Sequence, residues 1–214
     1  HQGRGVASGF WFNACGESSA QLNITEYGNV VVTTGHPDIG GSRASIANIT
    51  AELLGIHHDK VSVLIGDTAT IGYSNLTGGS RVLFASAMVV TESAKIVIKQ
   101  LKQRAAKIWG IEEEAIEWEN GEARPAGDNA GKFAPLTLAE LAEKATATGG
   151  PIGAGYQVNT EGAEGGFATH ICDVEVDMDL GIVRVKRYTS IQDVGKAIHP
   201  DYVEGQLHGG CVQG

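Results

Sequence analysis

No stretch of this 214-residue chain approaches the ~20 consecutive apolar residues a membrane-spanning helix needs, so no membrane span is expected. Runs of lysine and arginine are also missing. Lys+Arg number 16 against 25 Asp+Glu, for a formal charge of −9, so the chain lacks a surface that would displace counterions from nucleic-acid phosphates. A small anion is not excluded, because backbone N–H groups can hold one without net positive charge. Cysteine is scarce. Cys15, Cys172 and Cys211 are widely spaced, odd in number and form no C-x-x-C, which predicts free thiols in a reducing compartment and no iron–sulfur or structural zinc set. No signal peptide is visible, although the chain starts at His1 rather than at a methionine. A cytoplasmic location is the expectation, with a periplasmic one as the alternative.

Glycine, by contrast, is abundant. Thirty of the 214 residues are glycine, about double the usual share of roughly 7%, and they show no collagen-like period. With 42% hydrophobic residues, this composition predicts a globular protein with many special backbone positions. Residues 20–34 read as a hairpin turning at Gly28–Asn29. After "GHPDIGGS", the residues Ile46, Ile49, Leu53 and Leu54 fall at helical spacing, with Ser42 as the expected N-cap and Gly55 as the end. "KVSVLIG" is a short strand. A long polar loop, "DTATIGYSNLTGGSR", leads into a helix from about Val82 to Ile108. A second hairpin turns at Asn120–Gly121, and Thr137 caps a short amphipathic helix. Residues 146–167 are Gly-rich with no clear period. A third hairpin turns near Asp179–Gly181, and Pro200 opens a terminal helix. The expected class is α+β, with mixed or antiparallel sheets and helices packed on one face. The expected division is 1–112, a hairpin–loop–helix unit; 113–166, an excursion; and 167–214, a second, incomplete hairpin–loop–helix unit. Asp38-Ile39-Gly40 and Asp193-Val194-Gly195 occupy matching places in the two end units, by repetition or by chance.

Three loops could carry chemistry. In "DIGGSRAS", Gly40 and Gly41 precede a helix at Ser42, so backbone N–H groups and the helix N-terminus could receive phosphate; a plain strand-to-helix turn reads equally well. "TGGSR" repeats the design. Thr77 and Ser80 could donate to ligand oxygens beside Gly78 and Gly79, and Arg81 could clamp an anion, unless Ser80 merely caps the helix. The third runs from Asp193 through His199 into a helix holding Gly205, Gly209 and Gly210. Each of those glycines lowers helix propensity by roughly 1 kcal/mol relative to alanine, which predicts close packing against a backbone or a ligand. Three such loops favour a shared anion site over three separate caps. His36 and Asp38, His170 and Cys172, and His57-His58-Asp59 match no zinc spacing, so no protein-ligated metal is expected. Alternation puts His170 and Cys172 on one strand face, the core face. No G-x-S-x-G elbow is present.

"TGHPDIGGSRASIANITAELLGI", "VSVLIGDTATIGYSNLTGGSR" and "QDVGKAIHPDYVEGQLHGGCVQG", in this order, resemble the molybdopterin-binding large subunit of the xanthine dehydrogenase family, which includes aldehyde oxidoreductases and carbon monoxide dehydrogenases. The resemblance covers nearly the whole chain. It implies that Gly40, Gly41 and Ser42 stand in the place of the family's G-Q-G loop, with glycine where glutamine is usual. It implies that Gly78, Gly79 and Ser80 touch pterin or phosphate, with Arg81 beside them. Asp193 through Pro200 match the family's D-x-G-x-x-[IL]-N-P, with His199 in place of asparagine. Gly205 to Gly209 match G-Q-x-x-G, so Gln206 would hydrogen-bond the pterin dinucleotide, with Val203 one turn before it. Phe10 or Phe12 would lie near the substrate pocket.

The same resemblance implies a molybdenum hydroxylase (an oxidoreductase that hydroxylates a heteroaromatic or aldehyde carbon with oxygen from water) using molybdopterin in its cytosine dinucleotide form, with molybdenum. Fe–S clusters and FAD would sit on partner subunits, and the substrate would be a small molecule. The family's general-base glutamate lies beyond the position of Gly214, so no catalytic residue is expected among these residues, and this stretch alone should be inactive. Two alternatives stand beside this reading. One is a non-catalytic module that keeps the pterin-binding fold and acts in subunit assembly. The other is an unrelated phosphate-binding enzyme, for which no base–nucleophile pair is visible.

Overall fold

The computed structural model describes residues 1–67, 69–162 and 164–214; Thr68, part of the "GDT" stretch, and Ala163, in the predicted excursion, lie outside the described residues. The chain forms two compact units. One is Cys15–Gly162; the other joins His1–Ala14 to the segment that ends at Gly214.

The larger unit is built on a four-stranded sheet. Its strands are β2 (Gly16–Ile24), β3 (Val30–Thr34), β4 (Val61–Ile65) and β8 (Gly153–Thr160), in the order β4-β3-β2-β8. The β2–β3 hairpin is antiparallel, as the sequence predicts, and β8 pairs antiparallel with β2. The β3–β4 pair is parallel, which requires a crossover. Helix α1 (Ser42–Leu54) supplies it. Alternation on the strands buries Ala20, Leu22, Val30, Val32, Val61 and Val63. Against them lies helix α2 (Val82–Trp109), which buries Val89, Val90, Ala94, Val97, Leu101 and Ala105. Fully burying one such valine or leucine contributes about 1.5–3 kcal/mol, so this one helix face anchors the unit. Gly110, at φ 68°, ends α2 in a left-handed cap.

A small satellite sheet follows, made of β5 (Ile116–Glu119), β6 (Glu122–Pro125) and β7 (Leu136–Thr137). Its turn is Asn120–Gly121, with φ of 52° and 77°, the left-handed pair that a two-residue hairpin requires. Helices α3 (Leu138–Glu143) and α4 (Ala145–Thr148) come next. Thr137 caps α3 in a full capping box with Glu140, as expected. The Gly-rich stretch without visible period contains β8, an edge strand of the main sheet.

The smaller unit is a three-stranded antiparallel sheet in the order β1-β9-β10, formed by β1 (Gln2–Trp11), β9 (Gly166–Asp177) and β10 (Ile182–Gln192). Helix α5 (Pro200–Gln213) ends the chain, with Pro200 in its first turn. No described residue of this unit is buried. His170 and Cys172 are therefore half-buried on an open sheet face and not in a core, as alternation alone had implied. His170 Nδ1 pairs with the Tyr188 hydroxyl at 3.0 Å instead. Among the described residues, no helix is long and apolar enough to cross a membrane.

Candidate functional site

Register places the first two loops at one end of the larger sheet. Thr34, the last residue of β3, pairs with Ala20 in the middle of β2 and with Ile65 at the end of β4. The connections β3-to-α1 and β4-to-α2 therefore leave the same end, and both helices begin there.

In the first loop Gly40 and Gly41 both have left-handed backbones, with φ of 70° and 77°. Gly41 is the N-cap position, and Ser42 is the first helical residue, not the cap the sequence suggested. Capping comes from further back. The Asp38 carboxylate accepts the Arg43 N–H at 3.0 Å and lies 3.5 Å from the Ser42 hydroxyl and from the Arg43 guanidinium. The N-terminus of α1 thus already has one carboxylate.

Before this loop sits His36, 1% exposed. Its Nε2 shares a 2.9 Å hydrogen bond with the Ser18 hydroxyl, and its buried Nδ1 has no partner. Burial, helped by the nearby Arg81 charge, pushes its pKa down to about 4, so it is neutral at physiological pH. On sequence grounds His36 stood out only as half of a rejected metal pair. Nothing in a lone histidine after a strand signals burial.

Arg81 is the largest correction. It is 2% exposed, and its guanidinium donates to four backbone carbonyls: Cys15, Glu17, Asn75 at 3.1 Å and Leu76 at 3.2 Å. Four of its five N–H donors are engaged by backbone carbonyls, so it ties the loop ahead of α2 to the start of β2 and is not an open anion clamp. Burial pulls its pKa below the ordinary value, and Glu17 opposes that. Glu17 in turn is held below its ordinary range by its own backbone N–H and by Asn75, whose amide donates to it at 2.9 Å. Gly78 and Gly79 precede this anchor, with Gly79 at φ 68°. Ser80 is exposed and left-handed, at φ 58°. Thr77 Oγ1 is buried with no hydrogen-bond partner.

The third loop belongs to the smaller unit. Register again gathers one end: Trp11 pairs with Gly166, and Gln192 with Ala168. The Asp193 N–H donates to the Phe167 carbonyl at 2.8 Å, and the Asp193 carboxylate accepts the Gly195 N–H at 3.0 Å. Phe10 packs on Phe167 with ring centroids 5.2 Å apart, and Phe12 stacks on Trp11 at 5.1 Å. Phe10 and Phe12 thus share the Asp193 end of the sheet, and both are more than half exposed. His199 precedes α5 and stacks on Tyr202 at 3.9 Å; its Nδ1 is buried without a partner. On α5, Val203 is half-buried and Gln206 exposed. A Cβ added at Gly205, Gly209 or Gly210 would meet nothing within 4 Å.

The family model described as "Molybdopterin cofactor-binding domain" matches residues 1–214. The chain belongs to this family. Among its relatives are the carbon monoxide dehydrogenase large chain of Hydrogenophaga pseudoflava, 27% identical over 92% of this chain and 25% of that protein, and the aldehyde oxidoreductase molybdenum-binding subunit of Escherichia coli, 27% identical over 99% and 28%. The quinoline 2-oxidoreductase of Pseudomonas putida superposes with a TM-score of 0.79 at 25% identity, covering 98% of this chain and 29% of that one. The fold also matches the CO dehydrogenase of Oligotropha carboxidovorans, with a TM-score of 0.85 at 23% identity over 98% and 28%. The chain spans about a quarter of the length of these relatives. Molybdopterin-family membership and the α+β fold follow directly from these matches.

Proposed function

We propose that this chain supplies cofactor-holding loops to the molybdenum-binding large subunit of a hydroxylating oxidoreductase, working with Fe–S and FAD subunits on a small heteroaromatic or aldehyde substrate. One observation carries the reading. Two of the three loops flagged by sequence each hold a buried side-chain atom with no protein partner, Thr77 Oγ1 and His199 Nδ1. An unpaired buried polar atom costs about 1–3 kcal/mol, and a ligand rich in acceptors and donors would satisfy it. The open row of Gly205 and Gly209 on α5 fits the same ligand class, since nothing from this chain fills the space beside it.

In the larger unit, Gly40, Gly41, Ser42 and Thr77 to Ser80 would hold the pterin or its phosphates, with Arg81 fixing the loop from behind. In the smaller unit, Asp193, His199, Val203 and Gln206 would contact the dinucleotide part, in its cytosine form, and Phe10 or Phe12 would border the substrate. Molybdopterin, when bound, supplies the redox chemistry, and the protein orients it. In this reading these residues bind and position, and the substrate proton is taken by a glutamate outside this stretch.

The test is Thr77→Val in the intact protein, with molybdenum measured by mass spectrometry and pterin by its fluorescence after release. The variant keeps shape and removes the unpaired hydroxyl. Cofactor content should fall severalfold while the melting temperature of the cofactor-free protein holds or rises. Gln206→Ala should lower cofactor content likewise. Unchanged molybdenum and pterin in both variants would count against the assignment.

A further inference from the structure

The turn between α1 and β4 gathers His57, His58 and Asp59 on the surface, apart from every loop assigned above. The geometry points to these three side chains as a site for a divalent transition ion of the zinc class, held by two imidazoles and one carboxylate. This departs from the absence of a protein-ligated metal expected on sequence spacing, and it does not rest on the cofactor reading.

The Asp59 carboxylate sits between the two rings. Its Oδ2 lies 3.2 Å from His57 Nδ1 and its Oδ1 3.2 Å from His58 Nε2. The ring centroids are 4.3 Å apart, and one donor atom from each residue falls within 4.8 Å of the other two. Four-coordinate zinc holds nitrogen and oxygen ligands at about 2.0–2.1 Å, which sets neighbouring donors roughly 3.3 Å apart. The two 3.2 Å contacts use different oxygens of the Asp59 carboxylate, so with either oxygen as the donor one edge already has nearly that length, while the remaining donors lie within 4.8 Å and close by rotation of exposed side chains. The Asp59 N–H also donates to His57 Nδ1, at a long 3.4 Å that an ion would readily replace. Three protein ligands leave a fourth position for water or an outside donor.

The turn is braced at both ends. Leu54 before it is fully buried, and Val61 after it begins β4. Between them Gly55 has φ 68°, and a Cβ there would come within 2.7 Å of the Gly121 backbone nitrogen. The segment therefore lies tight against the β5–β6 hairpin, and the three ligands project from a fixed base. Donor chemistry selects the ion. Two imidazoles suit zinc, nickel or copper(II), whereas magnesium and calcium take oxygen-only sets.

Equilibrium dialysis of the intact protein against zinc chloride, with zinc per chain read by mass spectrometry, tests the site. The native protein should hold one zinc per chain more than His57→Ala/His58→Ala, and excess magnesium chloride should not displace it. Asp59→Asn should weaken zinc binding about tenfold or more, since loss of even an outer-shell partner commonly has that effect. All three side chains are exposed, so melting temperatures should stay level and report intact folds. Equal zinc in the native protein and the double variant, or displacement by magnesium, would overturn the site.

Discussion

At the residue scale, His36 and Arg81 present one physical problem: a polar group inside the larger unit, beside the loops that lead into α1 and α2. Arg81 solves it with four carbonyls. His36 solves half of it with Ser18 and stays uncharged. The unfolded histidine, near 6.5, binds a proton that the folded one refuses down to about 4. Stability from this group is complete above pH 6.5 and falls as pH drops through that window, by roughly 3 kcal/mol in all. His36→Gln, which can still bond Ser18, should flatten the acid limb of a urea-denaturation series between pH 7 and pH 4.5. Parallel limbs for the two proteins would contradict the assignment. Neither residue was legible beforehand in this role. "TGGSR" signals a helix entrance, and an arginine there reads as exposed because its partners, Cys15 and Glu17, lie more than sixty residues away in sequence. Gly40, Gly41 and Gly79 were legible as special backbone positions, and all three take the left-handed conformation that glycine adopts without steric cost.

At the element scale, what the sequence revealed depended on period. The β2–β3 and β9–β10 hairpins alternate cleanly, α2 repeats its apolar face, and Thr137-x-x-Glu140 announces its own capping box. Thr137→Ala should lower stability by about 1 kcal/mol in urea melts, because both halves of the box are lost together. No change in midpoint would mean that packing alone fixes α3. Two strands left no such trace. In β8, Gly153 replaces a side chain because a Cβ there would sit 2.9 Å from the Leu22 carbonyl, and a glycine chosen for close approach looks like a loop. In β1, glycines at positions 3, 5 and 9 and exposure of every residue erase the alternation. Asp38 was visible as a motif residue but not as the cap of α1, since it acts five positions ahead of the N–H it accepts.

At the scale of the whole molecule, burial among the described residues is confined to one unit. Amides of α2 and the centre of β2 and β3 sit on fully buried side chains, whereas β10 and α5 have none. Hydrogen exchange on this chain, followed by peptide mass, should be slowest in 89–101 and fast in 182–192 and 200–213. Equal protection in both units would show that the open sheet holds itself together without a core.

The pairing of β1 with β9 joins Gln2 to Glu175 and Trp11 to Gly166. A ribosome adding ~5–20 residues per second leaves β1 without its neighbour for on the order of 10–30 s. Through that interval Val6, Phe10 and Trp11 trail unpaired while the inserted unit folds. The smaller sheet thus closes only after the inserted unit between β1 and β9 has been made. During that wait the edge of β1 is available to other strands.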